Sequence, residues 1–141
     1  MTTILLADDN RDVRWMIAAI LKKLNPDLRV IEASDGRAAL RWYHRSTTPL
    51  DGLLLDCRMP PDNTGAAWLL ERLPPDCPPV VCLCNHSEEG ASVNTTDRVI
   101  ACITKETLAR PSVAQALARL DFKALSGGAG CGEAGRLNGQ A

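Results

Sequence analysis

Short apolar runs alternate with amphipathic stretches along most of the chain, and this alternation predicts the architecture. Strands are expected near residues 3–7, 29–33, 50–55, 79–84 and 98–105, because each run is short and bounded by turn formers. Stretches with helical spacing follow four of these runs. Repeated strand and helix of this kind is typical of βαβ units, so the chain is predicted to be an α/β protein built on a parallel sheet.

The stretch after the first strand has the clearest helical pattern. Asn10 or Asp12 can cap its start, and Asn25-Pro26 ends it. Its apolar residues recur at i, i+3, i+4, i+7, i+8 and i+11, and they are Val13, Met16, Ile17, Ile20, Leu21 and Leu24. This periodicity predicts one apolar stripe along the helix.

Three further helices are predicted from cap and breaker residues. Ser34 or Asp35 can cap a helix that runs through Tyr43, and another is expected near 65–73, before a pair of prolines. Pro111 opens the last helix. Trp42 is predicted to belong to the core.

Two segments lack apolar periodicity. Residues 86–98 contain glycine, asparagine and two threonines, so a fourth helix there should be short or mobile. Residues 126–141 are glycine-rich and are predicted to form a disordered tail, because they cannot offset their ordering entropy. The expected organisation is therefore one domain over residues 1–125 and a tail over 126–141.

Charge and hydropathy exclude several classes of partner. The formal net charge is -1 and there is no basic cluster, which argues against direct binding of nucleic acid. The N-terminus does not resemble a signal peptide, and no apolar run approaches the roughly 18 residues of a membrane span. No membrane partner is expected, and the predicted location is cytoplasmic.

The six cysteines are expected to be reduced thiols, since the chain has no leader and already has an apolar core. Cys82 and Cys84 fall within an apolar strand, where cysteine usually behaves as a small buried hydrophobe. A zinc site is disfavoured because paired C-x2-C spacing is absent and neither His44 nor His86 completes a ligand set.

Three acidic residues close apolar runs. Asp8 and Asp9 follow the first strand, and Asp56 ends the third. Parallel strands deliver these carboxylates to one rim of the sheet, where open α/β sheets bind ligands. Two carboxylates about 4 Å apart repel by roughly 4 kcal/mol at an effective dielectric near 20, so three converging acids favour a bound cation. Mg²⁺ suits oxygen ligands, and the predicted task is phosphate chemistry on an aspartate.

Three motifs resemble those of the response-regulator receiver domain, the CheY-like domain of two-component signal transduction. The chain opens with ILLADDNRDVR, continues with LLLDCRMP, which contains D-x-x-M-P, and ends its last strand with ACITKE. The resemblance spans residues 3 to about 122. It implies a flavodoxin-like, doubly wound sheet of five parallel strands in the order 2-1-3-4-5.

The resemblance also implies a role for each matching residue. Asp56 would accept a phosphoryl group from a phosphohistidine on a sensor histidine kinase or a histidine phosphotransfer protein. Asp9, Asp56 and the backbone carbonyl of Arg58 would hold Mg²⁺, with Asp8 reaching it through water. Lys105 would pair with Asp56 and with the phosphoryl oxygens. Mg²⁺ and an ammonium are needed physically, because a carboxylate nucleophile beside two other anions must have its developing charge offset.

Several positions depart from the family pattern. Cys84 stands at the switch position where the family has threonine or serine, and Cys102 stands where it has tyrosine or phenylalanine. A thiol is a weak donor where a hydroxyl would bond the phosphoryl oxygen. Losing a hydrogen bond to a charged group costs roughly 1.5–3 kcal/mol, which is about the size of an allosteric coupling. Glu106 replaces the common proline, and the loop over 56–65 is one residue longer. Phosphorylation with a blunted structural response is therefore expected.

Two functional hypotheses follow. In the first, the chain is a stand-alone receiver that signals through a downstream protein effector and is no enzyme beyond Mg²⁺-dependent self-phosphorylation and slow autodephosphorylation. In the second, it is a degenerate receiver that acts as a phosphorylation-independent binding module, or as a redox-sensitive one through Cys57, Cys84 and Cys102. An FMN site is disfavoured because Asp8 and Asp9 would repel phosphate. Haloacid dehalogenase chemistry is disfavoured because neither acidic run has a second acid two residues after its nucleophile.

Overall fold

The computed structural model describes residues 2–61, 64–84, 99–121 and 125, within which five strands and five helices follow one another. The strands are β1 (Thr2–Ala7), β2 (Leu28–Ala33), β3 (Gly52–Asp56), β4 (Val80–Cys84) and β5 (Val99–Thr104). The helices are α1 (Arg11–Leu24), α2 (Gly36–Arg45), α3 (Gly65–Arg72), α4 (Lys105–Leu108) and α5 (Pro111–Ala118).

All neighbouring strands run parallel, in the order β2-β1-β3-β4-β5. The predicted α/β class and the strand order are thus confirmed. Every residue of β3 and β4 is buried, as expected for central parallel strands that are covered on both faces. The edge strand β2 instead exposes Arg29 and Glu32.

Two apolar clusters fill the space on either side of the sheet. One contains side chains from α2 and α3 packed on the sheet, including Ala39, Leu69 and Leu70. The other contains side chains from α1 and α5, including Leu21 and Leu117. Each strand contributes alternate residues to the two clusters, because successive side chains of a strand point to opposite faces.

Helix α1 confirms one predicted cap and corrects part of the predicted stripe. The Asn10 side chain caps it by accepting a hydrogen bond from the backbone N–H of Val13 at 3.1 Å. Ile17 and Leu21 are buried, but Met16 is 50% exposed and Leu24 is 38% exposed. The buried face is narrower than the apolar stripe, so residues on its flank remain in contact with solvent.

The other element ends differ from the predictions by only a few residues. Asp35 caps α2 by accepting a hydrogen bond from the Ala38 N–H at 2.8 Å, and the predicted helix extends to Arg45. Trp42, predicted to be core, is partly buried against the cluster beside α2. Strand β5 ends at Thr104, so Lys105, predicted as the last strand residue, instead begins α4. The Thr104 hydroxyl caps that turn by accepting from the Thr107 N–H at 3.0 Å.

The chain makes a close backbone approach where the β3–α3 loop joins its helix. The Gly65 N–H donates to the Met59 carbonyl at 2.7 Å. A Cβ at Gly65 would lie 2.4 Å from Met59 Cγ and 2.5 Å from the Pro60 carbonyl oxygen. Only glycine leaves room for this contact, which keeps the loop against the start of α3.

Two predicted features lie outside the described residues, namely the short or mobile helix over 86–98 and the tail over 126–141. Among the residues that are described, no helix combines the length and the apolar character needed to cross a membrane.

Candidate functional site

The three acidic residues that end apolar runs meet at the carboxyl edge of the sheet. Asp8 and Asp9 directly follow β1, and Asp56 ends β3, which pairs with β1 in parallel register. One carboxylate oxygen from each of the three lies within 4.8 Å of the others. The sequence-predicted convergence of these acids is therefore present in the structure.

An open cavity of about 380 Å³ lies over the three carboxylates. Five of the predicted site residues line it, and the complete lining is Asp8, Asp9, Asn10, Val13, Asp56, Arg58 and Lys105. Asp9 is exposed, whereas Asp8 and Asp56 are 0% and 3% exposed. One carboxylate thus faces solvent while two lie at the floor of the cavity.

Lys105 places a positive charge beside the two buried carboxylates. Its Nζ atom lies 3.0 Å from Asp8 Oδ2 and 3.5 Å from Asp56 Oδ1. Because Lys105 is the first residue of α4, directly after β5, its backbone stands at the same edge of the sheet as the acids. The three carboxylates outnumber the two basic residues of the lining, Lys105 and Arg58.

Backbone contacts hold Asp8 in place. Its Oδ1 atom accepts a hydrogen bond from the Asn10 N–H at 2.9 Å, and its backbone N–H donates to the Ala33 carbonyl at 3.1 Å. Arg14 donates to the Asp8 carbonyl oxygen at 2.8 Å and also pairs with Glu32 at 3.1 Å. The acidic loop is therefore tied to both β2 and α1.

Asp8 Oδ2 is the site's unusual atom, because it is sealed from solvent yet receives no hydrogen bond of good geometry. Its contact with Lys105 at 3.0 Å is an ion pair. A buried carboxylate oxygen without hydrogen bonds is costly unless a cation compensates it. This oxygen and the nearby carboxylates of Asp9 and Asp56 fit a hard divalent cation such as Mg²⁺.

Burial and neighbouring charge shift the pKa values in the site. The pKa of Asp56 is raised from 3.8 to about 6, mainly by burial and then by the charge of Asp8, while Lys105 and the Arg58 N–H oppose the shift. Burial of Lys105 would lower its pKa, but its contacts with Asp8 and Asp56 outweigh this, and the pKa of Lys105 is raised. The ammonium therefore stays charged, and ionised Asp56 is held at a cost.

The two predicted switch positions do not belong to the lining of the cavity. Cys84 ends β4 and is fully buried, with its Sγ atom 2.9 Å from Cys57 Sγ. Cys102 is also buried and lies opposite Cys82 in the register of β4 and β5. The Cys84 thiol, at the position where the family pattern has a hydroxyl, thus contacts another thiol.

Sequence reasoning missed several contributors to the site. Asn10 was predicted only as a helix cap and Val13 only as a core residue, yet both line the cavity. Arg14 belongs to the motif ILLADDNRDVR, but its bond to the Asp8 carbonyl and its pairing with Glu32 were not predictable. Glu32 comes from a separate strand, and only the folded sheet brings it near Arg14.

Comparison with known proteins agrees with this geometry. The family model for the response regulator receiver domain matches residues 4–118. None of the curated proteins matches the chain significantly. Many solved structures do match, all of those compared at low sequence identity.

Three of these structures illustrate the similarity. A response regulator receiver domain protein from Clostridium thermocellum has 19% identity and a TM-score of 0.65, over 89% of this chain and 94% of that one. A CheY-like receiver domain protein from Methanospirillum hungatei has 20% identity and a TM-score of 0.67, over 89% and 96%. The receiver domain of a Francisella response regulator has 19% identity and a TM-score of 0.66, over 88% and 98%.

These structures support the fold, and the match to the family model covers most of the sequence. Receiver domains bind Mg²⁺ at an acidic site and take part in phosphoacceptor signalling, which agrees with the acidic cavity described above. The chain belongs to the response-regulator receiver family.

Proposed function

We propose that this receiver domain accepts a phosphoryl group on Asp56 from a histidine kinase or a histidine phosphotransfer protein. The observation that carries the proposal is the position of Asp56 at the floor of an open cavity, beside Asp8 and Asp9, with the Lys105 ammonium 3.5 Å from its Oδ1 atom. A buried carboxylate that has two anions and only one lysine beside it is unfavourable unless a further positive charge offsets it.

In the proposed reaction, a carboxylate oxygen of Asp56 attacks the phosphorus of a phosphohistidine. The P–O bond forms as the P–N bond breaks, and the imidazole leaves with the bonding electron pair and takes up a proton. Lys105 is close enough to Asp56 to offset charge on the phosphoryl oxygens, because its Nζ atom already contacts Oδ1. Arg58 keeps Asp56 oriented through its N–H, which lies 3.4 Å from Oδ1.

Asp9, Asp56 and the Arg58 carbonyl are the proposed Mg²⁺ ligands, with Asp8 acting through water. The ion, when bound, would neutralise the excess negative charge and stabilise the charge of the transferring group. A cation at this position is supported because the buried carboxylates of Asp8 and Asp56 share the single ammonium of Lys105. Lys105 and the cation would then share the compensation of the two buried carboxylates.

The same arrangement explains why the proposed activity is self-modification. Asp56 belongs to the protein and is itself changed, so the chain carries a phosphoryl group and does not turn over a separate substrate. Slow hydrolysis of the aspartyl phosphate by water would return the protein to its starting state, since the cavity is open to solvent.

The test is incubation with a small acyl phosphate and Mg²⁺, followed by intact mass measurement. Addition of one phosphoryl mass is expected for the native protein, and it should disappear in Asp56→Asn and on chelation of Mg²⁺. Asp12→Asn is the matched control, because Asp12 is an exposed acid in the first turn of α1. An unmodified mass, or modification that survives in Asp56→Asn, would contradict the proposal.

A degenerate receiver that binds its partner without phosphorylation is the second candidate. The contact between Cys84 and Cys57 favours it, because a thiol at the switch position is a weak donor and here faces another sulfur. A pull-down that compares unmodified protein with protein carrying a phosphoryl mimic distinguishes the two. Capture of a histidine kinase or phosphotransfer protein supports the first candidate, and identical effector capture by both forms supports the second.

A further inference from the structure

The residue that follows Asp56 is Cys57, and its thiol lies in contact with the thiol of Cys84. The Sγ atoms of Cys57 and Cys84 are 2.9 Å apart, and the two residues are only 4% and 0% exposed. This separation is shorter than the roughly 3.5–4.0 Å at which even carbon atoms make their best contacts. It exceeds the roughly 2.04 Å of an S–S bond by less than about 1 Å.

The backbone of the sheet already has the geometry of a cross-strand disulfide at this point. Asp56 pairs with Leu83 in the parallel register of β3 and β4, so Cys57 and Cys84 form the next pair. The Cys57 N–H donates to the Leu83 carbonyl at 2.9 Å, which continues the ladder by one step. Neighbouring strands lie roughly 4.8 Å apart, and disulfides span Cα separations of roughly 4.4–6.8 Å.

We propose that Cys57 and Cys84 form a reversible disulfide when the reduced protein meets a hydroperoxide. One thiol, as its thiolate, attacks an oxygen of hydrogen peroxide and becomes a sulfenic acid, and the other oxygen leaves as water once protonated. The second thiol then attacks the sulfenic sulfur and expels a second water. Two thiols and one peroxide thus give one disulfide and two waters, and a dithiol reductant reverses the change.

The positions of Cys57 and Cys84 explain why they, among the described thiols, would react with each other. Cys57 is the first residue after β3, at the edge of the sheet where the acid cavity opens, and Cys84 is the last residue of β4. Cys82 and Cys102 also face each other, but they lie two residues deeper in the sheet than Cys84 and Thr104. Burial slows attack on any of these thiols, and Cys57 retains 4% exposure, against 0–1% for Cys82, Cys84 and Cys102.

A bond at this place would connect the residue after the phosphoacceptor with the switch position. It would hold the Cys84 sulfur against Cys57 and fix the start of the β3–α3 loop to the end of β4. The inference does not depend on phosphoryl transfer to Asp56, because it rests on the contact between the sulfur atoms and on the register of the strands. Its test therefore needs no phosphoryl donor.

The experiment exposes the full, freshly reduced chain to hydrogen peroxide under native conditions, then unfolds it in urea to block the remaining thiols with a maleimide, and digests it with trypsin without reductant. The expected product is lighter by two hydrogens, takes up two fewer maleimides and yields peptide 46–58 joined to peptide 73–98. Peptide 46–58 contains Cys57 as its only cysteine, and fragmentation of 73–98 assigns the bond among Cys77, Cys82 and Cys84. A dithiol reductant should restore both separate peptides.

Two single variants serve as a matched pair. Cys84→Ala should abolish the link between the two peptides, whereas Cys77→Ala should retain it, because Cys77 lies outside the contact. If Cys84→Ala impairs folding, Cys57→Ala gives the same information, because it removes the other thiol of the pair. A link between peptides 73–98 and 99–105 in its place, which would join a strand β4 cysteine to Cys102, overturns the proposal. Formation of the 46–58 link only in urea overturns it as well.

Discussion

At the level of single residues, Asp56 is held where its charge is poorly compensated. It is almost completely buried, it lies near two other carboxylates, and Lys105 is the one lysine lining the cavity within the described parts of the chain. Its pKa is therefore raised to about 6. The buried negative charges therefore destabilise the folded site. An added positive charge, or the loss of one negative charge, relieves this destabilisation.

The first prediction concerns the dependence of stability on pH. Because the pKa of Asp56 is higher in the folded protein than the ordinary 3.8, the folded state binds more protons in the window from 3.8 to about 6, and stability falls as pH rises through it. Asp56→Asn removes this cost. The free energy of unfolding without metal should rise on the order of 2 kcal/mol at about pH 8, and the gain should disappear below about pH 4.

Urea denaturation in the presence of a chelator measures this difference at each pH. Asp12→Asn, at an exposed position, controls for the change in net charge and should show no comparable gain. Lower stability of Asp56→Asn at about pH 8 would mean that the ion pair with Lys105 outweighs burial and the repulsion from Asp8.

The second prediction concerns Lys105. Lys105→Met removes the ammonium that lies 3.0 Å from buried Asp8 Oδ2, and this oxygen has no hydrogen bond to replace it. Breaking such a pair should lower the free energy of unfolding without metal by roughly 3 kcal/mol. Added Mg²⁺ should recover more stability in the variant than in the native protein, since the metal is then the main compensating charge.

Thermal and urea unfolding with and without Mg²⁺ provide the measurement. Lys22→Met is the matched control, because Lys22 is exposed in the last turn of α1. Equal losses in both lysine variants would show that Lys105 does not stabilise Asp8.

At the level of elements, local signals predicted the helices and strands, but their ends and exposed faces depended on caps and packing that periodicity does not determine. Asn10 and Asp35 were recognisable caps because their side chains act on nearby backbone groups. Lys105 was assigned to a strand because the apolar run continues to it, yet the Thr104 hydroxyl starts a helical turn there. The exposure of Met16 depends on how wide a face α1 buries, which periodicity does not determine.

The acid cluster was predictable because its residues stand at the ends of strands. Asp8 and Asp56 close apolar runs, and parallel strands necessarily bring such residues to one edge. The contact of Cys57 with Cys84 depends on the exact register of β3 with β4 and on side-chain rotamers, neither of which the chain pattern contains.

The third prediction concerns the junction of the β3–α3 loop with α3. Gly65→Ala puts a Cβ within 2.6 Å of three atoms of Met59 and Pro60, two of them backbone oxygens. Relief of this overlap must move the loop, and a cost of roughly 1–3 kcal/mol is expected. Gly36→Ala is the matched control, because its nearest contact would be 3.0 Å, with the Gly65 carbonyl oxygen.

Chemical denaturation of both glycine variants measures the difference. Gly65→Ala should be the less stable of the two and should also reduce phosphoryl uptake on Asp56, since the same loop carries Arg58. Equal stability would show that the loop absorbs the added methyl group without resistance.

At the level of the whole molecule, the last helix closes the core that the first helix begins. Leu21 of α1 and Leu117 of α5 belong to the same apolar cluster, and the Asn25 side chain donates to the Ala118 carbonyl at 2.8 Å. Leu125 is buried in this cluster as well. Residues near both ends of the predicted domain thus contribute to one core.

The fourth prediction concerns the domain boundary. If residues 1–125 form the domain and 126–141 a tail, a chain ending at Leu125 should unfold at the same temperature as the full chain. A chain ending at Arg110 should show no cooperative transition, because it lacks all of α5. Calorimetry of both truncations tests the boundary, and a lower Tm for the chain ending at Leu125 would place the boundary further along the sequence.

The contact between α1 and α5 also bears on synthesis. A nascent chain that has left the ribosome only as far as β4 lacks α5, which shares the cluster of Ile17 and Leu21, so part of their face stays open to solvent while translation continues. The α1 side of the sheet is therefore completed only once α5 has been made, and the helix that is made first is among the last to be fully covered.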